Sequence, residues 1–151
     1  MKELLLDTNV LLLVLIGRKY PERVGGKRLE QFEREDLFRA LEIVGRFGRQ
    51  VTIPNILTET SNLLGDGKQW IVPDATDLLR VYVSNVDEIY WPSAKVVATP
   101  AYSKVGLTDA AILEASSGET TVVTVDYRLQ GLLSDRRVDV INLMNFKTFR
   151  R

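Results

Sequence analysis

Glu3-Leu4-Leu5-Leu6-Asp7-Thr8-Asn9-Val10-Leu11-Leu12 is the stretch on which the reading of the whole chain turns. Leu4 to Leu6 form an apolar run flanked by charge and too short for a helix, the pattern of a buried central strand. The apolar run resumes at Val10 with the look of a helix, so Asp7, Thr8 and Asn9 stand where strand gives way to helix. In open parallel sheets that carboxyl edge is where ligands bind. An Asp or Thr ahead of an apolar helix is equally the ordinary N-cap. From this stretch alone both readings stay open.

Composition sets the limits on function. The 151 residues are 45% hydrophobic and 26% charged, which suits one globular domain over 1–151 with a real core. Formal net charge is zero, so bulk charge argues for no nucleic-acid partner, although a local basic patch suffices to contact phosphates. There is no cysteine, which excludes disulfides, thiolate zinc sites and cysteine nucleophiles. There is no histidine either, which removes Ser-His-Asp triads, imidazole acid–base chemistry and every His metal site. Any enzymology must run on carboxylates, lysine, hydroxyls or a bound hard cation. Lys2 precedes Glu3, Asp7 interrupts the apolar run and no small-residue cleavage site follows, so no export signal is expected. Leu11 to Ile16 is too short to span a bilayer, and a cytoplasmic location without a membrane partner is the expectation.

Outward from the opening stretch, 17–28 (GRKYPERVGGKR) reads as a loop broken by Pro21, Gly25 and Gly26. It carries Arg18, Lys19, Arg23, Lys27 and Arg28 against one Glu22, a candidate RNA-backbone contact as much as an ordinary solvated loop. Leu29, Phe32, Leu37, Leu41, Val44 and Phe47 predict an amphipathic helix over 29–47. Val51-Thr52-Ile53 is a second short strand, and Pro54 suits the first position of a helix running to Leu64. On that helix Glu59 shares a face with Ile56 and Leu63. A lone carboxylate on an apolar stripe is expensive unless paired or metal-bound, and Glu59 has no capping role. Gly65-Asp66-Gly67-Lys68 superficially suggests a phosphate loop, but the Walker spacing is absent.

Farther along, 74–83 predicts a helix capped by Asp74, and 87–91 a short strand. A helix over 93–105 is interrupted at Pro100 and stopped by Gly106. The run 109–115 (DAAILEA) is a clean helix with Thr108 as its expected cap, and Asp109 in its first turn also simply favours the helix dipole. Thr121 to Val125 is the clearest strand, a β-branched run delivering Asp126 ahead of a short helix over 127–133. A last strand over 138–141 closes the sheet.

Apolar strands alternating with helices predict an α/β fold, a sandwich on a mostly parallel central sheet. Asp7 and Asp126 then leave strands at one shared edge, while Glu59 and Asp109 lie near helix starts. Four carboxylates brought together cannot all stay ionised unaided. Oxygen-only ligands in a chain without His or Cys point to Mg²⁺ or Mn²⁺, an arrangement that activates water and steadies charge developing on phosphate.

LLLDTNVLL, the Glu of ILTETSNLL, GLTDAAILEAS and VVTVD, in that order and spacing, resemble the four acidic motifs of the PIN-domain family over essentially the whole chain. The resemblance implies a three-layer α/β/α sandwich and a Mg²⁺- or Mn²⁺-dependent endoribonuclease. It implies Asp7, Glu59, Asp109 and Asp126 as catalytic acids, with Asp7, Asp109 and Asp126 holding metal. Glu59 would position metal or water as general base, and Asn9 and Thr124 would be supporting polar groups. Many bacterial relatives of this size are VapC-like toxins, often homodimers, neutralised by an antitoxin at the acidic site; RNA, an antitoxin and a second copy are thus the implied partners. The alternative is a catalytically weak or inactive PIN-like module that binds RNA or protein. A receiver-like or phosphatase-like domain also gathers acids at a sheet edge, but it would want a lysine following a strand, and none does so convincingly here.

Overall fold

A computed structural model describes the backbone of residues 2–150 and the side chains of residues 2–146. Strand β1, Glu3–Leu6, forms where the sequence places it, with Leu4 to Leu6 buried. Helix α1, Thr8–Lys19, starts directly beyond Asp7 and is buried from Val10 to Gly17. A helix apolar on every side belongs inside the molecule, and α1 packs against α2 (Arg34–Gly45), α3 (Pro54–Leu63) and α4 (Ala75–Ser84). It runs two residues past Gly17, where a loop is expected. A Cβ on Gly17 would meet Leu37 Cδ1 at 2.7 Å, so the glycine serves the close approach of α1 and α2.

The helix expected over 29–47 is a correction: regular structure starts only at Arg34. Leu29 and Phe32 are buried, but on irregular chain. Asp36 accepts from the Glu33 N–H at 2.8 Å, a reach-back that nucleates the helix there. Apolar periodicity marks burial, and local capping decided where the helix began.

The remaining elements are β2 (Gln50–Thr52), β3 (Asp87–Glu88), α5 (Ser93–Val96), α6 (Tyr102–Val105), α7 (Leu107–Ala115), β4 (Thr120–Thr124), α8 (Tyr127–Asp135) and β5 (Asp139–Asn142). A 3-10 turn, Pro21–Arg23, follows α1, and a 3-10 helix, Leu143–Arg150, follows β5. Pro100 separates α5 from α6, as its missing N–H requires. Gly106, at φ 85°, turns the chain between α6 and α7 in a conformation open to glycine.

The sheet is five-stranded and wholly parallel, in the order β3-β2-β1-β4-β5. Leu5 pairs with Val51 on one side and Val122 on the other, which centres the leucine strand. Helices flank the sheet in two groups, α1 with α2 to α4, and α7 with α5, α6 and α8. This is the expected α/β sandwich, more uniformly parallel than the strand pattern required. Successive strands from β1 to β3 proceed one way, and β4 and β5 lie on the other side of β1. The β1/β4 junction is therefore the topological switch point, where the carboxyl ends open a crevice for ligands. Among the described residues no helix is long and apolar enough to cross a membrane.

Candidate functional site

The switch point assembles the predicted acids from four elements. Asp7 leaves β1 and caps α1, accepting from the Thr8 N–H at 2.8 Å. Thr124, the last residue of β4 and fully buried, donates its hydroxyl to Asp7 Oδ2 at 2.7 Å. The same Thr124 oxygen accepts the Asp126 N–H at 3.0 Å, so one hydroxyl ties both strand-end acids together across the junction. Asp126 caps α8, accepting from Arg128 N and Leu129 N at 2.8 and 3.1 Å. The N-cap reading of Asp7 is correct, Asp126 caps in the same way, and both acids also leave strands at the switch-point edge. Each cap uses Oδ1, while Oδ2 of Asp7 goes to Thr124 and Oδ2 of Asp126 takes no donor among the described residues.

Glu59 departs from expectation. It is exposed, rather than set on a core-facing stripe, although Ile56 three residues before it is fully buried. Its two oxygens accept from Thr8 Oγ1 at 3.1 Å and Thr108 Oγ1 at 2.5 Å, linking α3 to the first turns of α1 and α7. Thr108 is correspondingly not the cap of α7, which starts at Leu107, two residues earlier than expected, behind Gly106. Its hydroxyl is free for Glu59. The sequence points to both threonines only as residues at helix starts, not as partners of Glu59; both sit beside an acid in the motifs DTN and LTD, which is the available signal.

Asp109 is the acid without such support. It lies half-buried in the first turn of α7, and among the described residues no hydrogen-bond donor reaches its carboxylate. Burial first, then the charges of Asp7, Asp126 and Glu59, push it up to about 7, with Arg128 opposing. Asp7 is also raised, chiefly by burial, against the lowering effect of its Thr124 and Thr8 hydrogen bonds. Asp126 and Glu59 raise it further. The four acids thus feel one another's charge at a single edge. They do not close into a ready-made cage: among the described residues no three acidic side chains are gathered tightly enough to enclose an ion. Asn9, the other supporting group, is half-buried in the first turn of α1.

The basic loop lies elsewhere. Arg18 and Lys19 end α1, whose N-terminus holds Asp7; twelve residues of helix separate the two ends by roughly 17 Å. Lys19 pairs with Asp74, which also accepts from Tyr20 Oη at 2.7 Å and so does not cap α4 with its side chain. Lys27 pairs with Asp66 at 3.0 Å, while Arg23 and Arg28 donate to the carbonyls of Ile71 and Gly65 at 2.9 and 3.1 Å. The loop is pinned to the chain following α3, with Arg18 exposed at its start. The cation that the fold sets beside the acids is Arg128, which no motif of the sequence marks.

No family model matches the chain, and no curated protein matches it. Among solved structures it is similar to PAE2754 from Pyrobaculum aerophilum, with a TM-score of 0.54 at 16% identity over 98% of this chain and 94% of that one. A likeness at that identity speaks to the fold.

Proposed function

We propose that the chain is a Mg²⁺- or Mn²⁺-dependent endoribonuclease of PIN-like type, with its chemistry at the β1/β4 switch point. The observation that carries this reading is Asp109, a half-buried carboxylate among three others with no donor of its own. Such a group needs either a proton or a cation. The donors are all hard oxygens, which fits Mg²⁺ or Mn²⁺ and no softer metal. Asp7, Asp109 and Asp126 would hold the ion, with Asp109 supplying a carboxylate that no donor occupies among the described residues. Bound there, it would lower the pKa of a water and offset charge developing on the phosphate.

The chain's own groups supply the rest. Thr124 holds the Asp7 carboxylate and the Asp126 backbone in fixed relation. Glu59, oriented by two hydroxyls, faces the same edge and would accept the attacking water's proton. A toxin's role in the cytoplasm, neutralised by an antitoxin over this acidic edge, and a homodimeric state are the partnerships this reading carries with it. The second reading, an inactive PIN-like module binding RNA or protein, draws on the absence of a closed three-acid cage among the described residues.

Cleavage of a mixed single-stranded RNA separates the two. Wild type with Mg²⁺ or Mn²⁺ should cut, EDTA should stop it, and Asp109→Asn should abolish it. If wild type does not cut and divalent ions leave the melting temperature unchanged, the metal site is refuted and the binding module stands.

A further inference from the structure

A phosphodiester approaching four carboxylates is repelled, and beyond the ion they would hold, a fixed cation at the edge relieves that repulsion and fixes where the phosphate sits. The pinned basic loop cannot be that cation at the acidic edge, since it lies a helix length away. Arg128 stands in the first turn of α8, two residues beyond Asp126, and is exposed. One guanidinium nitrogen donates to the Lys104 carbonyl at 2.7 Å, at the end of α6 and just ahead of the Gly106 turn that leads to Asp109. Arg128 thus bridges the two segments that deliver Asp126 and Asp109. A guanidinium carries five N–H donors. Among the described residues the Lys104 carbonyl is the one hydrogen-bond partner of that group, which leaves most of its planar fork available for two phosphate oxygens.

We propose that Arg128, oriented by the Lys104 carbonyl, is the residue that grips the RNA backbone phosphate at the acidic edge; this rests on the nuclease reading of that edge. The long basic loop is then secondary for substrate placement. Arg128 acts on binding and placement of substrate, while the acids act on the chemistry.

The test uses binding without turnover. A fluorescent single-stranded RNA is titrated against Asp109→Asn protein over a range of salt, with and without a second change, Arg128→Gln, which keeps a donor for the Lys104 carbonyl but removes the charge. One lost phosphate contact on a single strand should flatten the log Kd against log salt slope by about 0.7. Arg128→Lys should restore the slope, and Arg80→Gln, remote on α4, should leave it alone. In otherwise wild-type protein, Arg128→Gln should raise KM more than it lowers kcat. If the Gln variant unfolds, Arg128→Met, which keeps the aliphatic stem, carries the same comparison. An unchanged slope in a folded variant, or no RNA binding by the parent, overturns the inference. Wild-type cleavage with an unchanged slope would reject Arg128 and keep the nuclease. A flattened slope without wild-type cleavage would keep Arg128 as an RNA contact and reject the nuclease.

Discussion

Asp109 carries a large electrostatic cost at the edge, and that cost is measurable without knowing the substrate. Its carboxyl is raised from 3.8 to about 7, so between those values the folded chain holds a proton that the unfolded chain has released. Stability from this group is therefore greatest below its unfolded pKa and is lost as pH rises through the folded one; the raised Asp7 adds in the same direction. In EDTA the melting temperature should fall between about pH 5.5 and 8, Asp109→Asn should reduce that fall, and added Mg²⁺ should recover stability at the alkaline end. A melting temperature that climbs over the same range in EDTA would show that the acids do not crowd one another. Thr124 offers a second test at this scale. Thr124→Val leaves Asp7 and the Asp126 N–H without their shared hydroxyl, and under the proposed nuclease function RNA cleavage should drop by roughly 10- to 100-fold, the usual loss when groups that orient metal-binding side chains are removed.

At the scale of elements, the site depends on where each helix starts. Asp7 and Asp126 are aimed by capping α1 and α8, and Asp109 and Thr108 by the Gly106 turn that starts α7 two residues earlier than a Thr108 cap would have. The start of α2 is set in the same way, by the fully buried Asp36 reaching back to Glu33. Asp36→Ala should cost about 1 kcal/mol, lowering the melting temperature by about 2–4 °C while leaving RNA cleavage at the distant edge intact. Circular dichroism melts and the cleavage assay together check this; a variant as stable as the parent would mean that Leu29 and Phe32, packed on irregular chain, hold α2 in register without it.

The whole molecule is arranged around β1 and α1. Both are buried throughout their apolar lengths, and the order β3-β2-β1-β4-β5 puts the leucine strand at the centre. Leu12, fully buried on α1, packs in the core, and Leu12→Ala should cost about 2–5 kcal/mol. That is a large share of the roughly 5–15 kcal/mol that holds a domain together. Urea unfolding should show a lower midpoint at unchanged slope. A loss under about 1 kcal/mol would mean that the site collapses around the missing side chain.

Local chemistry was enough to read much of this. The leucine run, the β-branched run before Asp126, Pro54 and Pro100 dictate their elements because burial period, χ1 stiffness and a missing N–H act within a few residues. The alternation of strands and helices follows from them, and with it the α/β sandwich and the carboxyl edge where Asp7 and Asp126 emerge. Other features needed contacts between residues far apart in the chain. Glu59 looked like a costly buried acid because helical spacing shows which residues share a face, not what lies opposite. The exposed side of α3 came to face the threonines of α1 and α7, about fifty residues away in either direction. The basic loop looked close to Asp7 because only the stretch from Thr8 to Gly17 separates Arg18 from it, but that stretch is helix and carries it to the opposite end. Arg128 was fixed beside Asp109 only when the end of α6 came within reach of the first turn of α8. Charge acts through space, so which charges meet was decided by the tertiary structure alone.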